Sequence, residues 1–321
     1  MTSFQTDNFI DTNNETTLLL PLVSTGNVPQ LSVDLMLHTL APQYQFIKDI
    51  HSNYLHPFLG PLDYSIDQSK PILYEEFNNN NNNTKKFSSN LELFYNKSKN
   101  FYILQQRTPI IQGYLNNFFK EIIIPLLTNL NVKTIIILDS FGSFDDSFPH
   151  AINHNHRVLP SSSNEVYSLG SCNLNNINEL SSTFDSIMNL NNNNNTNNHN
   201  NYDSNFGIDW FKFTEDSIQQ EISTNQDIFK IAYHLINSNI STPSSSSLNE
   251  IKYISCFIHE GDNSFDAKLF TETIFKLLNW NNDKDTNSSS NQGFVLKTPV
   301  SWKGVYGFNS VSTAFDEGLY I

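Results

Sequence analysis

Two short runs of unbroken apolar residues constrain this chain more than anything else in it. The first spans residues 16–23 (TTLLLPLV) and the second 132–139 (VKTIIILD). Neither run alternates apolar with polar, so neither suits a sheet with one wet face. Continuous Val, Ile and Leu at strand length mark strands covered on both sides, which demands helices above and below a mostly parallel sheet. Both runs are far short of the roughly 20 residues needed to cross a bilayer.

The remaining pattern supplies those helices. Gly26 breaks the first run, and Val28, Leu31, Leu35 and Leu40 then recur at helical spacing across residues 28–40, with Pro29 in the tolerated first turn. Residues 44–50 read as a strand. Residues 91–95 and 101–106 read as a hairpin. A long helix is expected over 109–130, where Ile110, Tyr114, Phe118 and Ile122 recur every four residues, with a kink or split at Pro125. Short strands are expected at 165–169 and 251–259, and helices at 209–221, 227–237 and 265–280. In the last helix Phe265, Leu269, Ile274, Leu277 and Leu278 are expected to face inward. The expected fold class is α/β, a three-layer domain with a mostly parallel central sheet and helices on both faces.

Low-complexity tracts interrupt this pattern. Asn78 to Asn83 is an unbroken Asn run, Asn191 opens another, and Ser161–Ser163, Ser244–Ser247 and Ser288–Ser290 are Ser runs. Such tracts cannot bury enough apolar surface to offset the entropy of ordering them, and long surface loops add little closure cost. They are read as loop insertions near 78–90, 161–164, 189–205, 241–249 and 281–292 in one domain spanning 1–321.

Charge narrows the partners. The chain carries 18 Lys plus Arg against 32 Asp plus Glu, a net charge of -14. Neither this balance nor any basic cluster favours nucleic acid or an anionic membrane. The densest basic stretch is only Lys85, Lys86, Lys97 and Lys99. Two cysteines, Cys172 and Cys256, make no disulfide framework and suit a reducing compartment. The first residues have no basic stretch followed by an apolar core, so no secretory signal is expected.

Four constellations invite chemistry. Gly26, with Asn27, sits at a strand-to-helix turn where a phosphate could bind, but one glycine is not a G-x-G-x-x-G loop. Ser140 follows a strand, but Leu138-Asp139-Ser140-Phe141-Gly142 is not a nucleophile elbow. His150, His154 and His156, with Asp145 and Asp146, have no helical frame to orient them on a metal, so no metal or cofactor is expected. Glu260, Gly261, Asp262 and Asn263 place carboxylates at a strand-to-helix junction. There Asp262 or Asn263 suits a helix cap as well as acid–base work. A small-molecule enzyme using the Gly26 turn with Glu260 and Asp262 is therefore the alternative to a non-enzymatic role, and it requires a concave pocket.

The chain closes on Gly318-Leu319-Tyr320-Ile321. An aliphatic knob, an aromatic ring with a hydroxyl and a terminal carboxylate make a compact plug, and capture of such a terminus in a pocket is a recurring recognition mode. Residues 316–321 are accordingly expected to form a docking tail.

Three blocks then carry a resemblance. The opening Thr17-Leu18-Leu19-Leu20-Pro21-Leu22-Val23-Ser24-Thr25-Gly26-Asn27-Val28, continuing through Gln30-Leu31 and Asp34-Leu35, resembles the proteasome assembly chaperone 2 family. So do Phe257-Ile258-His259-Glu260-Gly261-Asp262-Asn263 with Asp266-Ala267, and Pro299-Val300-Ser301-Trp302. The resemblance implies a cytosolic protein, found also in the nucleus, that is no enzyme and has a nucleoside-phosphorylase-like α/β fold. It implies pairing with proteasome assembly chaperone 1 and a dimer that holds 20S core-particle α-subunits during α-ring assembly. Some members end in hydrophobic–Tyr–any, which inserts between neighbouring α-subunits, and Leu319, Tyr320 and Ile321 match that pattern. Nothing is carried across residues 141–249, where the sequence departs most.

Overall fold

A computed structural model describes residues 15–80, 84–142, 167–174, 227–241, 248–258, 261–278, 280 and 295–303. The expected helix over 209–221, most of the Asn and Ser tracts, the His150–His156 cluster, Glu260 and the tail 316–321 lie outside these residues.

A seven-stranded sheet organises the chain. Its strands are β1 (Thr17–Pro21), β2 (Gln45–Asp49), β5 (Leu91–Asn96), β6 (Phe101–Gln106), β7 (Thr134–Phe141), β8 (Tyr167–Asn173) and β9 (Glu250–Phe257), in the order β2-β5-β6-β1-β7-β9-β8. The centre, β6-β1-β7-β9, is parallel. The β2-β5-β6 pairings on one side and β9-β8 on the other are antiparallel. The two apolar runs are the adjacent strands β1 and β7, in register from Thr17 opposite Thr134 to Pro21 opposite Leu138. Every residue of both is buried. A separate two-stranded sheet pairs β3 (Leu59–Pro61) with β4 (Phe87–Ser89).

Helices cover both faces, and the pleat divides the core between them. On one face Leu19, Ile103, Ile136, Leu138 and Ile254 meet α1 (Val28–Thr39) and α6 (Ser264–Leu277). On the other, Leu18, Leu20, Leu104, Ile135, Ile137 and Ile251 meet α3 (Leu115–Phe118), α4 (Ile124–Asn129) and α5 (Asp227–Ser241). A short α2 (Glu75–Asn80) lies beside β2. The sets alternate along each strand because successive side chains point to opposite faces. Helices α1 and α6 approach closely because small residues face each other: Ser32 Oγ donates to the Ala267 carbonyl at 3.2 Å.

Three expectations are corrected. The helix expected from Pro109 begins only at Leu115, because Ile110 bridges to Leu55 in extended backbone and Gly113 turns the chain at φ 87°. The helix is not cut at Pro125. It widens into a π-helical turn, Phe119–Ile123, ahead of that residue, which then sits in the first turn of α4. Proline cannot donate to the preceding turn and crowds the carbonyl four residues back, and a wider turn relieves both conflicts. In α6, Phe265 is 64% exposed and Leu269 half-buried, while Ile274 and Leu277, with Leu278 just past the helix, are buried as expected, and so is Phe270. Phe265 lies in the first turn, beyond the edge of the apolar stripe that α1 and the sheet cover.

Candidate functional site

Helix α1 is the spine on which the distinctive segments meet. At its N-terminal end Gly26 adopts φ 67° and ψ 5°, and Asn27 follows at φ 54° as the residue preceding the helix. A Cβ on Gly26 would come within 2.5 Å of Ile258 Cδ1 and closer still to Asn263 Nδ2. The glycine is thus required twice, for a left-handed backbone and for the close approach of the β9–α6 junction. At that junction Gly261 adopts φ 135°, Asn263 Nδ2 donates to the Gly261 carbonyl at 3.1 Å, and Asp262 Oδ1 accepts from Ser264 N at 2.9 Å. Asp262 therefore satisfies the first amide of α6, and Asn263 braces the turn beneath Gly26.

A second meeting place lies one helical turn and a half along α1. Asp34 accepts from Gln105 Nε2 at 2.7 Å and from the Trp302 side chain, and Arg107 Nη1 lies 3.6 Å from its Oδ1. Arg107 Nε also lies 3.8 Å from Glu92, which pairs with Lys85 Nζ at 3.0 Å and accepts from Tyr74 OH at 3.2 Å. Lys85 Nζ reaches Asp49 at 2.6 Å and sits over the Phe46 ring. Lys85, from the densest basic stretch in the sequence, is thus consumed internally and presents no basic patch.

Burial sets the electrostatics of this cluster. Desolvation raises the Asp34 carboxyl from 3.8 to about 6, against the pull of Arg107. Desolvation likewise raises Glu92, opposed by Arg107 and Lys85. Burial works against the Arg107 charge, but Asp34, Tyr74, Glu92 and Asp63 together hold it above its ordinary value. His38, one turn further along α1, is lowered by burial from 6.5 to about 4, and among the described residues its Nδ1 has no hydrogen-bond partner. Two acids and one guanidinium in a dry site are expensive to bury and still more expensive to separate. Such a network fixes geometry, and none of Asp34, Glu92 and Arg107 lines the substrate-sized space found among the described residues.

That space lies elsewhere. A cavity of about 740 Å³ opens at the carboxyl ends of β1, β6 and β7. There β1 leads to α1 on one face while β6 leads to α3 on the other, the kind of divergence at which α/β sheets bind ligands. Its lining includes Ser24, Thr25, Asn116, Ser140 and Phe141. The Ser140 hydroxyl donates to the Thr25 carbonyl at 2.6 Å and lies 2.9 Å from Ser24 Oγ. Asp139 beside it accepts from Ser140 N and from Tyr253 OH, each at 2.8 Å. No imidazole is among the described residues lining the cavity. Gly26 and Asp262, which the enzyme alternative requires, do not line it either, and Glu260 falls outside the described residues.

The structure thus joins residues that the sequence presents separately: Gly26 with Asn263, and Asp34 with Trp302. Sequence reasoning missed Asp63, Glu92 and Arg107. A lone Arg just past a hairpin strand and acids scattered over about 60 residues carry no spacing signal; only the buried position of strands β5 and β6 hints that charges beside them must be paired. Leu319, Tyr320 and Ile321 lie beyond the described residues. Among the described residues no helix is long and apolar enough to cross a membrane.

Comparison with known proteins gives the chain its relatives. The profile of the PAC2 family matches residues 18–238. Proteasome assembly chaperone 2 of Saccharomyces cerevisiae is 36% identical over 299 residues, covering 93% of this chain and 97% of the yeast protein. The Mus musculus protein of the same name is 25% identical, over 91% of each chain. Among solved structures, Pyrococcus furiosus PbaA, described as an archaeal homolog of proteasome-assembly chaperone, aligns over 83% of this chain and 82% of its own, at 12% identity and a TM-score of 0.35.

Proposed function

The chain belongs to the PAC2 family, and from that membership we propose that it is a proteasome assembly chaperone. The observation that carries this reading is its near end-to-end match to a yeast protein of that name, 36% identical over 97% of the relative's length. In finer detail, it pairs with proteasome assembly chaperone 1, and the pair holds 20S α-subunits while the α-ring closes. It works without catalysis, in the cytoplasm, with the nucleus as a second compartment. Neither nucleic acid nor a membrane is a partner; the net charge of -14 supports both exclusions.

Leu319, Tyr320 and Ile321 dock in a pocket between α-subunits. Burying Leu319 and Tyr320 contributes roughly 2–3 kcal/mol each. Ordering four residues costs roughly 1–2 kcal/mol apiece. The tail is therefore weak alone, and a body already seated on the ring makes its docking effectively intramolecular. Weak docking suits a chaperone that must finally release its client.

Affinity purification of the full chain beside a version ending at Gly318, with bound proteins identified by mass spectrometry, tests this reading. The expected prey are free α-subunits and a second α/β chaperone, with the α-subunits reduced on truncation. Unchanged prey on truncation would remove the tail from the account. Absence of proteasome subunits from both samples would remove the chaperone role.

A further inference from the structure

The cavity at the strand ends has a floor and a rim of different character. Leu20, Phe118, Phe119, Phe141, Ile228 and Ile231 form the floor, and all six belong to the hydrophobic core on that face of the sheet. The rim is polar: Gln112, Asn116 and Asp227 are exposed, and Lys230 of α5 is half-buried beside them. Two departures from regular backbone shape the wall. Gly113, at φ 87°, turns the chain into α3, and a Cβ there would meet nothing within 4 Å. Phe119 opens the π-helical turn, a feature that recurs at functional sites. The volume of about 740 Å³ falls within the roughly 300–1,000 Å³ of small-molecule sites, which likewise combine an apolar lining with a few placed polar groups.

Charge and hydrogen bonding narrow what fits. Every charged side chain among the described lining residues is already engaged. Asp139 accepts from Ser140 N and from Tyr253 OH, each at 2.8 Å, and Lys230 Nζ lies 3.6 Å from Asp227 Oδ1. Two carboxylates against one paired ammonium disfavour an anion. The serine hydroxyls are engaged as well: Ser140 Oγ donates to the Thr25 carbonyl at 2.6 Å, and Ser24 Oγ accepts from Ser140 N at 3.0 Å. Asn116 offers a donor. Its amide oxygen accepts from His234 Nε2 at 2.8 Å, which orients the side chain and turns the amide nitrogen away from that partner. Burial, with Lys120 beside it, lowers the His234 imidazole from its ordinary 6.5, so the group bracing Asn116 is neutral near pH 7.

We propose that this cavity is a binding site for a neutral small molecule with an apolar body and a hydrogen-bond acceptor at one edge. The body lies against the floor, where it displaces water from Leu20, Phe118 and Phe141, and the acceptor takes the Asn116 amide hydrogen at the rim. An anion would add a third negative charge beside Asp139 and Asp227, and a cation would compete with Lys230 for Asp227 and with Tyr253 for Asp139. The site is independent of the chaperone reading: it concerns the body of the chain and needs no protein partner.

Fluorescence titration of the full chain with prodan, a neutral naphthyl ketone whose emission moves to the blue in apolar surroundings, tests the site. The expected result is saturable, blue-shifted binding, weaker by about tenfold for anilinonaphthalene sulfonate, an anion of similar size. Asn116→Ala, which removes the donor, is expected to weaken prodan binding about fivefold. Asn116→Trp, which also fills the mouth of the cavity, is expected to weaken it by at least about tenfold. Asn116 is exposed, so both chains are expected to fold, with circular dichroism as the check. Phe265→Ser removes an exposed phenylalanine on the opposite face of the sheet and is expected to leave binding unchanged. Absence of a saturable blue shift would overturn the site, as would equal affinity in the unmutated and Asn116→Trp chains. Loss of binding in Phe265→Ser would place the dye on α6 and overturn the cavity. Sulfonate binding as tight as prodan binding would overturn the neutral class, and full affinity in Asn116→Ala would overturn the acceptor.

Discussion

At the scale of single residues, the site is defined by positions that tolerate no substitute. Gly26 is the sharpest case. Its left-handed backbone penalises any side chain by roughly 1–2 kcal/mol, and crowding against Ile258 and Asn263 adds about 1–3 kcal/mol. Gly26→Ala is therefore expected to lower the urea-unfolding free energy by at least about 2 kcal/mol, and a loss under half of that would contradict the packing described. Asp34 and His38 give a second test, because burial moves them in opposite directions. Asp34 titrates near about 6 when folded, above its ordinary 3.8, so its contribution is present at low pH and is lost as pH rises through about 6. His38 titrates near about 4, below its ordinary 6.5, so its contribution is present above 6.5 and is lost as pH falls through about 4. Between these limits the two slopes oppose. Removing the imidazole should unmask the carboxyl: His38→Gln is expected to gain stability relative to the unmutated chain as pH falls from 6.5 to 4. The gain should approach roughly 3 kcal/mol at about 1.4 kcal/mol per pH unit, followed by chemical denaturation at each pH. A flat difference across that window would show that His38 is not buried neutral.

At the scale of elements, strands were more legible than helix boundaries, and the reason is physical. Leu18–Leu20 and Ile135–Leu138 are buried on both faces of the sheet, so their sequence carries an uninterrupted apolar signal. Residues 91–106 reveal a hairpin through two apolar runs and a polar turn, and β5 and β6 pair there from Leu91–Gln106 to Asn96–Phe101. The helix before β7 misleads because Ile110 and Tyr114 continue the four-residue spacing ahead of the helix, where Ile110 is used for an extended bridge to Leu55 and Tyr114 sits in the turn that precedes Leu115. Spacing alone cannot tell a helix from a strap that packs on the same core. Phe265 misleads in a similar way: it fits the stripe of α6 by count but lies in solvent at the first turn. A paired substitution separates the two situations. Phe265→Ser is expected to change stability by no more than about 0.5 kcal/mol, whereas Phe270→Ala, deep against α1, should cost roughly 3–5 kcal/mol. Comparable losses from both would mean that α6 is rotated from the orientation described. The Asp34–Arg107–Glu92 network stayed hidden for another reason: its partners come from α1, β5 and the residue after β6, and charges that meet only through tertiary packing have no period to read.

At the scale of the whole molecule, a parallel core of four strands carries two helical layers, and the three sequence blocks that announce the family converge on one helix. Gly26 meets Asn263 at its start, and Asp34 meets Trp302 at its middle. Segments 230 or more residues apart are thereby locked to each other. The cavity at the strand ends belongs to the same architecture, and its Ser24 and Ser140 hydroxyls pair with each other, Ser140 also with the Thr25 carbonyl. The functional account rests on membership of the PAC2 family. Its central claim is that the protein promotes proteasome assembly. The most direct test is to deplete the chain from cells and resolve core-particle precursors by native electrophoresis and mass spectrometry. The account predicts that free α-subunits and incomplete rings accumulate, and that the full-length chain restores mature core particles better than a version ending at Gly318. An unchanged precursor profile after depletion would contradict it.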